Sequence, residues 1–273
     1  FSMRRRYPAG MFDQVLKNLK RVERSIGAKF GDPDNPLLGS VRSGAKASMP
    51  GMMDTVLNLG INEQTLKGLA RKTHNRRFSY DAYRRFISMF GSIALEVKRE
   101  KFEKLLEAKK HQVGVEQDTQ LDERALEDLA DQFKRLVAEE TGKSFPEDPS
   151  EQLRLGINAV FDSWYGARAV TYRKLHHIPD DWGTAVNVVA MVFGNMGETS
   201  GTGVAFTRDP SMGERRFFGE FLLNAQGEDV VAGIRTPLPI SSLAEKIPVA
   251  YRELQTIYKK LERHYKDMLD LEF

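Results

Sequence analysis

Apolar residues recur along the chain with two periods, and these predict its elements. Met11, Val15, Leu19, Val22 and Ile26 recur at helical spacing, and Gly27 stands where such a helix stops. Tyr83, Phe86, Ile87, Phe90, Ile93, Ala94 and Val97 define a second helical face, and Leu126, Leu129, Phe133, Leu136 and Val137 a third. A fourth helix opens with Asp148-Pro149-Ser150-Glu151, where Asp can cap, Pro fits the first turn and Glu can reach back. Its apolar face is Leu153, Ile157, Val160, Phe161 and Trp164. Residues 37–42 and 184–193 read as buried strands. Residues 202–207 and 217–223 read as two more, joined by the turn Asp209-Pro210-Ser211-Met212-Gly213. Tyr251, Leu254, Tyr258, Leu261 and Tyr265 mark a last helix, and 268–273 alternates like a strand. The layout is a helical block of roughly 60–165 set into an α+β frame.

Composition narrows the function classes. The 273 residues are 41% apolar and 29% charged, ordinary for a globular protein. Apolar runs fall far short of the ~20 residues of a membrane-spanning helix, so no membrane partner is expected. With no cysteine, disulfides, Cys-ligated zinc, iron–sulfur clusters and thiol nucleophiles are excluded, which fits a reducing, cytoplasmic setting. The 41 basic and 38 acidic residues nearly balance and give little push toward nucleic acid. The basic start at Arg4, Arg5 and Arg6 lacks the apolar stretch of a signal peptide and reads as a solvated tip. At the other end no residue follows the last strand to pair with it, so the chain is expected to be a fragment.

Three segments carry candidate chemistry. Ser40-Val41-Arg42-Ser43-Gly44 ends a strand with a cation that can grip phosphate oxygens bidentately. Ser48-Met49-Pro50-Gly51-Met52-Met53-Asp54-Thr55 can bring backbone N–H groups against an anion. The same residues also fit a tight surface turn. Residues 194–203 hold four glycines between two strands, the composition of a mobile flap or of a long hairpin loop, and not of a Walker motif. In the last strand Leu269, Leu271 and Phe273 face one way and Asp270 and Glu272 the other, their carboxylates about 7 Å apart. Such a pair suits Mg2+, though the pattern alone favours an ordinary half-buried strand with a wet acidic face. Gln226-Gly227-Glu228-Asp229 has the same two readings. His74, His111, His176, His177 and His264 stand in no metal-ligand spacing and read as surface or packing residues.

These motifs, with Asn35-Pro36-Leu37-Leu38 ahead of them, Asp180-Asp181-Trp182-Gly183-Thr184 and the run from Asn224 to Pro237, resemble the N-terminal ATP-binding domain of the pyruvate, phosphate dikinases over nearly the whole chain. The resemblance implies an α+β, ATP-grasp-like nucleotide-binding domain with a large helical insertion. Residues 1–60 and 146–192 would form the first lobe, 61–145 the helical insertion and 193–273 an incomplete second lobe, with MgATP held between the lobes. It implies ATP as substrate and Mg2+ as cofactor. The partner would be a swivelling domain whose histidine takes the β-phosphoryl group, in a full-length enzyme expected to be a homodimer. Arg42 matches the family arginine at the ATP phosphates, Gly51 and Met53 the following nucleotide loop, and Thr202 and Gly203 the glycine-rich flap. Glu228 matches the acidic residue of the Gln-Gly-Glu-Asp motif, and Asp270 and Glu272 the carboxylates near metal and phosphates. The family's Gly-Gly-Lys loop would precede Phe1 and its Gln-Thr-Arg strand would follow Phe273, so the fragment's own affinity for ATP is expected to be lowered; without the phosphohistidine and pyruvate sites it is not expected to complete the reaction. Val189 stands where a glutamine is expected, and Gly39 where a bulkier residue is. The near alternative is the ATP domain of phosphoenolpyruvate synthase or another dikinase of that superfamily. An alternative of another class is an RNA-binding helical module using Arg71, Lys72, Arg76, Arg77, Arg84 and Arg85 with Phe78, Tyr80 and Tyr83. The balanced charge speaks against it.

Overall fold

A computed structural model describes residues 7–231 and 235–273, the side chains of Glu228 and Val231 excepted. The arginines at 4–6 and residues 232–234 lie outside the described residues. Helices and small sheets are mixed in two compact units that divide between Met191 and Val192.

The first unit opens with α1 (Met11–Ile26), which stops where Gly27 turns left-handed at φ 73° and donates its N–H to Glu23 O at 2.8 Å. Two short parallel strands follow, β1 (Lys29–Phe30) and β2 (Pro36–Leu37). Next comes β3 (Gly39–Gly44), then β4 (Val56–Leu59). The helical block is α2 (Glu63–Thr73), α3 (Arg76–Ile93), α4 (Arg99–Val113) and α5 (Glu123–Thr141). Asn62 caps α2 through a reciprocal box with Thr65, and Asp122 caps α5. The block's core is aromatic: Phe145 packs edge-on to Phe86 and Phe90, with ring centroids 5.6 and 5.7 Å away. Gly91 is dictated by packing, because a Cβ there would come within 2.6 Å of the Phe102 ring.

Helix α6 (Pro149–Ser163) and α7 (Ala167–Leu175) return the chain to the sheet, which closes with β5 (Ala185–Ala190). Asp148 caps α6 by accepting the Ser150 and Glu151 N–H groups; among the described residues Glu151 returns no bond. The sheet order is β4-β3-β5, antiparallel throughout, with Arg42 opposite Asn187. A cavity of about 330 Å3 separates the sheet from the apolar stripe of α1, lined by Val15, Leu19 and Val22 and by Leu37 and Val188.

Two expectations change here. Residues 184–193 do not form a buried strand: among the described residues β5 is an edge strand paired only with β3, and its residues alternate between exposed and half-buried. Val97 is buried but lies beyond α3, because Glu96 turns left-handed at φ 60° and the Val97 N–H donates to Gly91 O.

The second unit is built on β6 (Gly201–Phe206) and β7 (Phe218–Leu223). A short helix, α8 (Gly227–Val231), leads on to β8 (Leu238–Pro239), α9 (Leu243–Lys246) and α10 (Pro248–Tyr265), and the unit ends with β9 (Asp270–Glu272). Its sheet order is β8-β7-β6-β9. Phe221, Ile240 and Leu243 form the core, with Phe217, Tyr251 and Leu254 packed against it. Arg208 donates from Nε and an Nη to one Glu262 oxygen, tying the residues after β6 to α10. The last strand pairs antiparallel with β6, a strand that precedes it in the chain.

Candidate functional site

In the first unit the site is assembled at the exit of β3. Val41 is buried against the core, so strand alternation turns Arg42 to the exposed side. Its guanidinium meets no acceptor or carboxylate among the described residues, which leaves all its donors available. Gly44 closes the strand because a Cβ there would sit 2.6 Å from Asn187 Nδ2. The Gly44 N–H donates to Thr184 Oγ1 at 3.2 Å, joining the exits of β3 and the entry of β5.

The loop after β3 is anchored rather than loose. Met49 is buried with Trp164 and Ala169, and Met52 and Met53 pack against that cluster. The Asp54 N–H donates to Ser163 Oγ, and the Asp54 carboxylate pairs with Arg168 at 2.8 Å. Gly51 adopts φ 70° with open space around it, so its backbone conformation, not crowding, calls for glycine. Thus Gly51 presents backbone at the loop tip, while the Met53 side chain is partly spent on packing.

Beneath this loop lies a buried cation that sequence reading missed. Arg173 is 1% exposed. It lies 4.1 Å from the Trp164 ring centroid, donates to the Trp164 carbonyl, and donates from Nε to Asp180 Oδ1 at 2.7 Å. Trp164 Nε1 donates to the Asp180 carbonyl at 3.1 Å. Asp180 is therefore held at both its backbone and its carboxylate, which fixes the single 3₁₀ turn Asp180–Trp182. That turn presents the half-exposed Trp182, and Lys46 Nζ lies 4.6 Å over its ring. The only sequence signal was the Asp-Asp-Trp string itself.

In the second unit, residues 194–203 are not all flap. Gly201, Thr202 and Gly203 are paired within β6. Gly194 O accepts the Ala225 N–H and Ser200 O accepts the Asn224 N–H, both at 2.9 Å, so the remaining loop is pinned at both ends. Thr202 Oγ1 donates to Phe273 O at 2.8 Å, which commits the hydroxyl proton and leaves its lone pairs free. Gly203 exchanges backbone hydrogen bonds with Phe273. A Cβ there would stand 2.4 Å from Glu220 O and 2.6 Å from the Phe273 ring, so sheet packing alone dictates glycine. Asp270 and Glu272 point to the exposed face of β9 while Leu271 turns inward, and neither carboxylate has a described cationic partner. Glu228 lies in α8, its side chain outside the described residues. Next to these segments Asn195 Oδ1 and Gln226 Nε2 are buried without a hydrogen-bond partner, one acceptor and one donor left unsatisfied.

The structure thus groups Arg42, Gly51 and Met53 at one end of the first unit's sheet, and Thr202 and Gly203 with the strand carrying Asp270 and Glu272 in the second. Among the described residues no three His, Cys, Asp or Glu side chains converge on a metal position. Two exposed, unpaired carboxylates on one strand face fit a hard cation that takes its remaining oxygens from phosphate and water. No helix among the described residues is long and apolar enough to cross a membrane.

The basic cluster of the helical block is consumed internally in part, while Arg76 stays exposed and lies 3.7 Å from a Glu123 carboxylate oxygen. Arg84 is buried and pairs with Asp81 and Asp118, and Arg85 pairs with the same two carboxylates. Arg77 donates to the Leu121 and Asp118 carbonyls, Arg71 pairs with Asp34, and Lys72 bonds Asn35. Phe78 and Tyr83 are core residues. Burial pushes the Asp81 carboxyl up, but Arg84, Arg85 and Arg77 together outweigh it and hold it below its ordinary value.

One α+β unit carries an exposed arginine near the end of a strand, and the other presents two exposed carboxylates with no described cationic partner. Residues 7–250 match the family model described as pyruvate phosphate dikinase, AMP/ATP-binding domain, and the chain belongs to that family. It is 53% identical over 262 residues to pyruvate, phosphate dikinase of Clostridium symbiosum, which covers 96% of this chain and 30% of that protein. It is 54% identical over 269 residues to the chloroplastic pyruvate, phosphate dikinase of Flaveria pringlei, covering 98% of this chain and 28% of that one. Against pyruvate, phosphate dikinase of Rhizobium meliloti (strain 1021) the identity is 52% over 281 residues, covering 98% and 31%. The chain spans less than a third of the length of these relatives.

Proposed function

We propose that this chain is the nucleotide-binding part of a pyruvate, phosphate dikinase, which interconverts ATP, phosphate and pyruvate with AMP, diphosphate and phosphoenolpyruvate. The family match over 7–250 carries the reading. In it the chain is ATP-grasp-like, with residues 1–60 and 146–192 as one lobe, 61–145 as a helical insertion and 193–273 as the other lobe. A histidine on a separate swivelling domain accepts the β-phosphoryl group, and the full-length enzyme is a homodimer.

Arg42 is the proposed catalytic cation. Phosphoryl transfer asks the protein mainly for positioning and charge stabilisation, and an exposed guanidinium with all its donors free suits charge spreading over the equatorial oxygens. The backbone at Gly51 and the Met53 wall position the nucleotide beside it. Thr202, Gly203 and Glu228 contact the nucleotide from the second lobe. Thr202 Oγ1 can accept a hydrogen bond while donating its own proton to Phe273 O. Asp270 and Glu272 hold Mg2+, which when bound supplies charge neutralisation on the phosphates. The pinned loop 194–200 screens the site from water.

The test is phosphorylation of the histidine in the full-length protein. Arg42→Ala is expected to abolish phosphohistidine formation from ATP while circular dichroism and the unfolding midpoint stay at parental values. Near-parental labelling of that variant refutes the assignment. The phosphoenolpyruvate synthase alternative predicts that water replaces phosphate as second acceptor, so phosphate-independent turnover would favour it. An RNA role is disfavoured by the ion pairs that hold Arg84 and Arg85 inward on Asp81.

A further inference from the structure

The arrangement around Trp182 is unusual for a surface. A large aromatic is left 46% exposed, yet its backbone turn is held by a buried arginine and a buried tryptophan. An exposed aromatic does not ordinarily receive such support. What the framework achieves is to pin one lysine: Lys46 Nζ lies 4.6 Å from the ring centroid. Lys46 is itself exposed, makes no ion pair among the described residues, and follows β3 by two positions, in the loop that leads from Arg42 to Gly51. The bond from the Gly44 N–H to Thr184 Oγ1 ties the segment before Lys46 to the segment after Trp182, so the two side chains sit on a joined support. A free lysine loses much rotamer freedom on grasping a phosphate, whereas one already stacked on a ring has lost part of it beforehand.

From this geometry we infer that Lys46 is a second polyphosphate-binding cation, preorganised by Trp182 and working beside Arg42; the inference rests on the nucleotide-binding reading. The ammonium supplies a point charge with donors that rotate to the phosphate oxygens, complementing the bidentate fork of Arg42. Asp180 does not compete for it, because its carboxylate is held by Arg173. Trp182 is then a positioning residue, acting through Lys46.

Trp182 reports on the event. The chain has two tryptophans, and Trp164 is 1% exposed, so acrylamide quenching separates them. A non-hydrolysable ATP analogue and inorganic triphosphate are each titrated with Mg2+, with adenosine as the phosphate-free control, following Trp emission and calorimetry. Expected is a saturable change in the exposed tryptophan's emission with the analogue and with triphosphate, none with adenosine, and none in Trp182→Phe. Lys46→Gln should weaken analogue binding roughly ten- to a hundredfold, the worth of one charge-assisted phosphate contact, and Lys46→Arg should recover most of it. All variants should keep the parental unfolding midpoint, which a purely structural role would shift. Parental affinity in Lys46→Gln overturns the inference and leaves the nucleotide-binding reading intact. A response to adenosine alone also overturns it, since the ring would then be stacking on a base. Absence of any analogue binding by the folded parent removes both.

Discussion

Replacing Arg173 by Leu should destabilise the first unit by about 3–5 kcal/mol. The substitution strips three interactions at a position that is 1% exposed. The Trp164 carbonyl loses its donor, and an unsatisfied buried carbonyl costs about 1–3 kcal/mol. The guanidinium at 4.1 Å from the Trp164 ring is desolvated, a setting in which a cation–π contact contributes about 2 kcal/mol. The pair with Asp180 adds little, roughly 0–1 kcal/mol, because that carboxylate is 69% exposed. Asp180→Asn is therefore the matched control and should cost no more than about 1 kcal/mol. Both tryptophans lie in the first unit, so denaturant unfolding followed by Trp fluorescence reads that unit without the other. A loss of 3–5 kcal/mol is a large share of the ~5–15 kcal/mol of a typical domain, so the midpoint should fall steeply. Two results would refute the reasoning: Arg173→Leu within about 1 kcal/mol of the parent, or Asp180→Asn as damaging as Arg173→Leu.

Two further expectations follow from other parts of the chain. Gly203→Ala forces a Cβ to within 2.4 Å of Glu220 O, so β6 and β7 must part. Its expected cost is about 1–3 kcal/mol in the second unit, read by calorimetric unfolding; an unchanged transition would show that the glycine is not there for packing. Acid should weaken the helical block. Asp81, Asp128 and Glu63 are all held below their ordinary values: Asp81 by Arg84, Arg85 and Arg77 against its burial, Asp128 by Lys109, and Glu63 by Lys134. Carboxyls with lowered native values contribute stability that is complete above the unfolded-chain pKa and is lost as pH falls through the native value. Stability should thus be flat from pH 7 to about pH 5 and decline below about pH 4, as measured by urea unfolding at each pH. A flat profile down to pH 3 would contradict the assigned pairs.

Much of the scaffold was legible because its signals are local. The stop at Gly27 and the cap at Asp148 each involve neighbouring residues, and both stand where expected. The alternation of Leu269, Leu271 and Phe273 against Asp270 and Glu272 is likewise a property of one strand and is observed. What escaped depends on pairing between distant segments. An apolar run such as 184–193 does not say whether one or two neighbours flank it, and β5 turned out to have one. Glycines 201 and 203 look like flap composition until β7 and Phe273 are seen pressed against Gly203. The arginines of α3 form a basic surface in sequence, but Asp81 and Asp118 bring their charges inward. The stack of Lys46 on Trp182 needs the fold to bring its partners together.

Titration calorimetry of this chain with a non-hydrolysable ATP analogue, with and without Mg2+ and beside Arg42→Ala, tests the central claim most directly. The account predicts saturable binding that Mg2+ strengthens and that Arg42→Ala weakens roughly ten- to a hundredfold, the worth of one charge-assisted phosphate contact. A folded chain that binds no analogue, or an Arg42→Ala variant that binds it as tightly as the parent, would contradict it.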